Sequence, residues 1–196
     1  MDKKKKVNKK NTPIRERILS TAVNLFYRHG IQAVGVDKIV AEARVAKMTL
    51  YSYFPSKDDL IKEYLEVSSE KWLTDFHAYL NKHCSNDQDR LLKSFEYLKL
   101  IYNSQENFRG ISFINAELEI SDPSDSVHGI ILEFQENIRE SFENWAYNSG
   151  LKDARDLSYS LLLVFEGAVV AAMTEDFPEP IGHAIKTAQT LINCSK

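Results

Sequence analysis

The sequence predicts an all-α fold of nine helices arranged in two domains. Apolar residues recur at i, i+3, i+4 and i+7 along most of the 196-residue chain, which is the spacing of one helix face. The alternating β-branched runs that are typical of strands are absent. Seven Gly and five Pro leave long segments without a helix breaker. Apolar residues make up 43% of the chain, which is enough to build a core.

Charge divides the chain into two parts. Residues 1–62 carry 14 Lys and Arg against 6 Asp and Glu, a net of +8, and residues 63–196 carry 11 against 22, a net of −11. A basic first third is typical of a domain that binds a polyanion, and an acidic remainder would be repelled by that polyanion. Residues 1–11 include six lysines and are expected to form a disordered arm, which either contacts phosphates or only aids solubility.

The first predicted helix begins at Thr12-Pro13 and ends before Gly30. Thr12 is placed as the N-cap, Pro13 as the first helical residue and Gly30 as the left-handed cap. The buried stripe of this helix is predicted to contain five apolar residues: Ile14, Ile18, Ala22, Leu25 and Phe26.

Two short helices are predicted within residues 35–54, at about 36–43 and 47–54, separated by a tight turn. In the second of them Leu50 and Phe54 are four residues apart and point together into a core. Its opposite face is cationic, aromatic and hydrogen-bonding, which suits insertion into the major groove of DNA. That face consists of Lys47, Met48, Tyr51 and Ser52.

The string VDKIVAEARVAKMTLYSYFPSKDDLI resembles the helix-turn-helix of the TetR family of bacterial transcriptional regulators. The matching core is Ile39, Ala43, Val45, Thr49, Leu50, Tyr51, Tyr53, Phe54, Ser56, Lys57 and Leu60. This resemblance implies a three-helix DNA-binding head over residues 12–72. It also implies a helical body over residues 73–196 that binds a small-molecule effector and forms a homodimer.

The resemblance implies a set of DNA-binding residues, in which a lysine reads base edges and tyrosines hold the phosphate backbone. For Tyr53, packing in the core is the alternative. The chain departs from the family pattern at four of these positions: Gly35 and Ala46 replace hydroxyl caps, and Arg44 and Met48 replace glycines. The predicted set is Gly35, Arg44, Ala46, Lys47, Met48, Thr49, Tyr51, Ser52, Tyr53 and Lys57.

Six further helices are predicted after the helix-turn-helix. Ser56 caps the fourth, with Asp59 completing a capping box, and this helix runs to about residue 82. The fifth helix starts near Asn86, and the sixth, seventh and eighth span about 111–120, 124–148 and 153–175. The ninth helix begins at Pro180, and a turn is predicted at 121–123. Helix 8 is apolar nearly all round, which implies that a second chain covers one side of it.

The body is predicted to hold a ligand pocket and a dimer interface. The pocket residues are Trp72, Phe76, Phe95, Phe113, Phe134, Phe165 and Glu166, with plain core packing as the alternative for the aromatics. Glu166 would bond a cationic or hydroxylated ligand, or else pair with a base of the partner chain. The interface residues, on the last two helices, are Leu161, Phe165, Ala168, Ala172, Ile185, Ala188 and Ile192.

The residues and the resemblance together imply a cytoplasmic, homodimeric regulator that binds a palindromic operator in double-stranded DNA. In this family such a regulator is most often a repressor, and the resemblance implies that a small-molecule effector releases it from the operator. The alternative is an architectural or division-linked DNA-binding protein with no effector. No nucleophile elbow, phosphate loop or paired-carboxylate constellation favours an enzyme. Neither a metal nor a cofactor is predicted, and the distant Cys84 and Cys194 are interpreted as reduced thiols. No apolar stretch is long enough to suggest a transmembrane helix.

Overall fold

A computed structural model of the chain describes residues 13–104, 108–120, 126–174 and 177–196. Every regular element in these ranges is an α-helix, and there are nine of them, which confirms the predicted fold class. The predicted arm at 1–11, the Thr12 cap and the turn at 121–123 lie outside the described residues. The helices are α1 Ile14–His29, α2 Val36–Ala43, α3 Lys47–Tyr53, α4 Lys57–His83, α5 Asp87–Asn103, α6 Ser112–Glu119, α7 Ser126–Asn148, α8 Ala154–Ala172 and α9 Pro180–Cys194.

The chain divides into two compact units, the head, which ends at Glu66, and the body, which begins at Val67. The division falls inside α4, so the first turns of this helix belong to the head and the remainder to the body. The sequence places the boundary six residues later, after Trp72.

The head has a small apolar core built around α1. Ile18 and Ala22 of α1, Ile39 of α2 and Leu50 of α3 have no exposed surface. Ile14 is 40% exposed, contrary to the predicted stripe, because it is the first residue of α1 and lies a turn ahead of the packed part. Pro13 has ψ 140° and therefore flanks the helix instead of starting it.

A capping box opens α4, as the sequence predicts. The backbone N–H of Ser56 donates to Asp59 Oδ2 at 3.0 Å, and the N–H of Asp59 donates to Ser56 Oγ at 3.0 Å. The reciprocal pair satisfies two N–H groups that the helix itself leaves unpaired. The start of this long helix is thereby fixed at the edge of the helix-turn-helix.

The body packs α7 against α8, α8 against α9, and α5 against both α7 and α9. Large aromatic side chains fill its core, among them the fully buried Phe76, Phe95 and Phe142. Gly110 precedes α6 with φ 78°, and a Cβ there would stand 2.6 Å from Met173 Sδ. Glycine is therefore favoured where the chain enters α6 beside the end of α8.

Candidate nucleic-acid interface

The turn between α2 and α3 is closed by backbone hydrogen bonds and by one arginine from α1. Arg44 takes the left-handed conformation (φ 55°, ψ 51°), and the N–H of Val45 donates to the carbonyl of Val40 at 3.1 Å. Arg17 Nε donates to the carbonyl of Ala43 at 3.0 Å. The last carbonyls of α2 are thus satisfied, and the direction in which the chain enters α3 is set.

Replacing Arg44 by glycine is expected to raise the free energy of unfolding of the head by about 1 kcal/mol, because glycine adopts a positive φ without a Cβ clash. The measurement is urea-induced unfolding followed by circular dichroism. Arg44→Ala is the matched control, since it removes the same charge and keeps the Cβ. A glycine variant no more stable than the alanine variant would contradict this assignment of strain.

Helix α3 is seven residues long and is held by its apolar side. Leu50 has no exposed surface, and Phe54, which follows the helix, is 2% exposed. Its other side is open: Met48 is 83% exposed and Tyr51 40%, and Lys47 and Ser52 are exposed as well. A helix this short needs such anchoring. The result is a surface helix whose outer face offers a cation, a thioether, a phenol and a hydroxyl.

Other predicted DNA-binding residues surround this face. Gly35 precedes α2 as an exposed, extended N-cap, and Ala46 precedes α3 with no side-chain cap. Tyr53 is 43% exposed, so it does not pack in the core. Thr49 is half-buried, and its carbonyl accepts from Ser52 Oγ at 2.7 Å. Lys57 is half-buried and donates to the carbonyl of Ile31 at 2.8 Å, which leaves two of its N–H groups for other acceptors.

One residue of this surface was missed by the sequence interpretation. Asp37, in the first turn of α2, lies with Oδ1 2.8 Å from Lys47 Nζ. This hydrogen bond raises the pKa of Lys47. An acid in a first turn is explained by the helix dipole alone, and this is why nothing in the sequence pointed to a partner ten residues away.

In the body, most of the predicted interface residues are covered by their own chain. Leu161, Phe165, Ala168 and Ala172 of α8 and Ala188 and Ile192 of α9 are buried, and Ile185 is half-buried. Helices α7 and α9 of the same chain pack over that side of α8, so these residues have little surface left for a second chain. The exposed residues of α8 that a second chain could cover are Tyr159, Leu163, Gly167 and Val170; we call these four residues the α8 stripe.

The predicted pocket residues separate into two groups. Phe113, Phe134, Phe165 and Glu166 line a cavity of about 10 Å³, the room that one water molecule needs. Trp72, Phe76 and Phe95 do not line this cavity and pack against other aromatic rings. Trp72, for example, stacks on Phe76 with ring centroids 4.8 Å apart. Phe76 and Phe95 are fully buried, whereas Trp72 is half-buried.

Glu166 is the half-buried carboxylate beside that cavity. Gln135 Nε2 donates to its Oε1 at 3.0 Å. Burial raises the pKa of Glu166, the hydrogen bond from Gln135 opposes that rise, and the charge of Glu117 adds to it. The folded body therefore keeps a carboxylate in a place where ionisation is unfavourable, which is a feature often found at functional sites.

Replacing Glu166 by glutamine is expected to stabilise the body at pH 7. Because the pKa of Glu166 is raised on folding, the folded state binds this proton more tightly than the unfolded chain. Stability is therefore lost as pH rises from the ordinary value of 4.5 through the raised pKa. Thermal melts between pH 4 and pH 7 should show the variant's advantage shrinking toward acid pH. Glu133→Gln, at an exposed site on α7, is the control, and an equal effect there would contradict the expectation.

In the described ranges, no group of three or more His, Cys, Asp and Glu side chains comes together in a way that would hold a metal ion. None of the helices in these ranges is long and apolar enough to cross a bilayer.

Helices α2 and α3 are short and are joined by a tight turn, and α3 packs on the core with one face and exposes the other. This arrangement is a helix-turn-helix. The chain is a DNA-binding transcriptional regulator. A family model described as "Bacterial regulatory proteins, tetR family" matches residues 18–64, which contain this element. The resemblance to the TetR family seen in the sequence is confirmed.

Individual relatives agree with the family model. The HTH-type transcriptional regulator LmrA of Bacillus subtilis (strain 168) is 24% identical over 179 residues, covering 86% of this chain and 91% of LmrA. The HTH-type transcriptional repressor SCO4008 of Streptomyces coelicolor is 44% identical over 50 residues, 26% of each chain. The crystal structure of SCO4454, a TetR-family regulator from Streptomyces coelicolor, superposes with a TM-score of 0.82 at 26% identity over 93% and 95% of the two chains. Regulators of this family bind DNA, function as dimers and are not enzymes.

Proposed function

We propose that the chain is a cytoplasmic repressor that binds a palindromic operator as a homodimer and leaves it when a small molecule binds the body. The exposed outer face of α3, held from behind by Leu50 and Phe54, carries this proposal. The repressor assignment draws on SCO4008, which is named a repressor and is similar to 50 residues of this chain.

Each exposed group of the head has a role in this proposal. The Lys47 ammonium donates to guanine N7 or O6, and Met48 meets a thymine methyl group. Tyr51 and Tyr53 donate to phosphates and so position the helix without reading sequence. The remaining groups act at the backbone of the DNA or beside it: the N–H of Gly35, Arg44, Ala46, Thr49, Ser52 and the free N–H groups of Lys57.

The homodimer is proposed to form through the α8 stripe. Tyr159, Leu163 and Val170 are 45%, 71% and 41% exposed, an apolar surface that a second copy would cover. Gly167 lies exposed between them and allows a second helix to approach closely. A two-fold dimer lets two recognition helices enter major grooves one turn apart, about 34 Å, or somewhat more.

The effector is proposed to enter beside Glu166, where a cation or a hydroxylated group would meet the carboxylate and the rings of Phe113, Phe134 and Phe165. The cavity has room for only about one water molecule, so an effector has to select a wider conformer of the body. In a thermal-shift screen of organic cations, a compound that stabilises the wild type should lose its effect in Glu166→Gln and should release DNA.

The filled core favours a second candidate, a DNA-binding protein of the same fold with no effector. Phe76 and Phe95 have no exposed surface, and their rings pack against those of Tyr97 and Phe165. A screen in which no compound stabilises the protein or changes its affinity for DNA would favour this candidate over a ligand-controlled repressor.

The proposed operator binding is tested by selecting duplexes from a random pool with the wild-type protein. We expect a palindromic sequence to emerge that binds at least about 1,000-fold more tightly than a scrambled duplex, at a fixed salt concentration. A protein that binds all duplexes alike at every salt concentration would refute sequence-specific regulation.

A further inference from the structure

Asp37 is a carboxylate on the surface that meets DNA, and the roles given above leave it without a function. We propose that Asp37 is a specificity-determining residue, which aims the Lys47 ammonium at base edges and lowers the affinity of the head for DNA in general. This inference rests on the proposed operator binding by α3.

The geometry couples the two helices through these side chains. Asp37 stands in the first turn of α2 and Lys47 is the first residue of α3, and Asp37 Oδ1 lies 2.8 Å from Lys47 Nζ. Both side chains are open, at 83% and 52% of their full exposure. An ammonium has three N–H groups. When one of them donates to Asp37, two remain to donate to base acceptors. The flexible four-carbon stem of Lys47 is thereby directed before DNA arrives.

The same carboxylate acts on the phosphates. The first helix of a helix-turn-helix crosses the DNA backbone, which brings a charge in the first turn of α2 close to phosphate oxygens. Phosphate attraction is independent of sequence and supplies nearly all non-specific binding. The negative charge of Asp37 therefore weakens binding to every duplex. Lys47, held in position by Asp37, adds affinity only where its base acceptors are present.

A favourable interaction with the α2 dipole also accounts for an acid in the first turn. That interaction concerns only the stability of α2 and needs no partner on α3. It predicts a change in melting temperature and no change in the choice of DNA, so the two explanations separate in a binding experiment.

The experiment compares the wild type with Asp37→Asn on two duplexes, the operator selected from the random pool and a scrambled duplex of the same length. Fluorescence anisotropy is recorded over a series of salt concentrations. We expect Asp37→Asn to bind the scrambled duplex about 3- to 10-fold more tightly and the operator within about twofold of wild type, so that discrimination falls by about 3- to 10-fold. The salt dependence should steepen by about one charge.

The matched control is Glu42→Gln, which removes the same charge from an exposed position at the far end of α2. It should leave the ratio of the two affinities unchanged. In a Lys47→Ala background, Asp37→Asn should still strengthen binding to the scrambled duplex but should no longer change the ratio.

Three results would overturn the inference. If Asp37→Asn bound both duplexes more tightly by the same factor, Asp37 would act only by repelling phosphates. If its affinity for neither duplex changed, only the interaction of Asp37 with the α2 dipole would remain. The same loss of discrimination with and without Lys47 would show that Asp37 does not act through the lysine. A wild type that selects no operator would instead refute the proposed function itself, and this inference with it.

Discussion

Replacing Leu163 by aspartate is expected to convert the proposed homodimer into a monomer and to weaken binding to the proposed operator by at least about 100-fold. Leu163 is 71% exposed in the middle of the α8 stripe. A carboxylate there would be buried against apolar groups of the second copy without a partner, which costs several kcal/mol. A monomer has one head, so it also loses the gain in DNA affinity, about 100-fold or more, that two linked binding modules provide.

The measurements are sedimentation for the oligomeric state and anisotropy for DNA affinity. Leu118→Asp is the matched control, because Leu118 of α6 is 70% exposed and the charge change is the same. The control variant should remain a dimer with wild-type affinity. A dimeric Leu163→Asp protein would move the interface away from the α8 stripe.

Replacing Lys47 by alanine is expected to lower operator affinity by about 10- to 100-fold, with a much smaller loss on scrambled DNA. A lysine that contacts guanine contributes about 1–3 kcal/mol of discrimination, whereas a lone phosphate contact weakens all duplexes alike. The comparison of operator and scrambled duplex therefore decides between base contact and backbone contact.

Lys71→Ala provides the control for this substitution. Lys71 is an exposed lysine of the body, and its Nζ lies 2.7 Å from Asp75 Oδ2, so it resembles Lys47 in both charge and pairing. Its replacement should not change either affinity. If Lys47→Ala lowered both affinities equally, Lys47 would be a phosphate contact.

Local patterns in the sequence predicted the helices well, because one apolar stripe and one cap suffice to place an amphipathic helix. The capping box of Ser56 and Asp59 is an example in which both the residues and their hydrogen bonds follow from the sequence alone. The exposed face of α3 followed in the same way, from the spacing of Leu50 and Phe54.

The remaining features depend on neighbours that the sequence does not identify. Helix α8 is apolar on several sides, so periodicity could not tell which side faces α7 and α9, and buried residues such as Leu161 were assigned to the interface. The volume left between aromatic rings is likewise a property of the packed body. The pair of Asp37 and Lys47 depends on the angle of the turn at Arg44.

The stacking of Trp72 gives the protein an optical reporter of its own. The chain has two tryptophans, Trp72 and Trp145, and both belong to the body, whereas the aromatic residues of the head are phenylalanine and tyrosine. The Trp72 indole lies against Phe76, Tyr97, Phe134 and Phe165. Tryptophan emission therefore follows the unfolding of the body, and a compound entering beside Phe134 and Phe165 would change its colour or intensity without any attached dye.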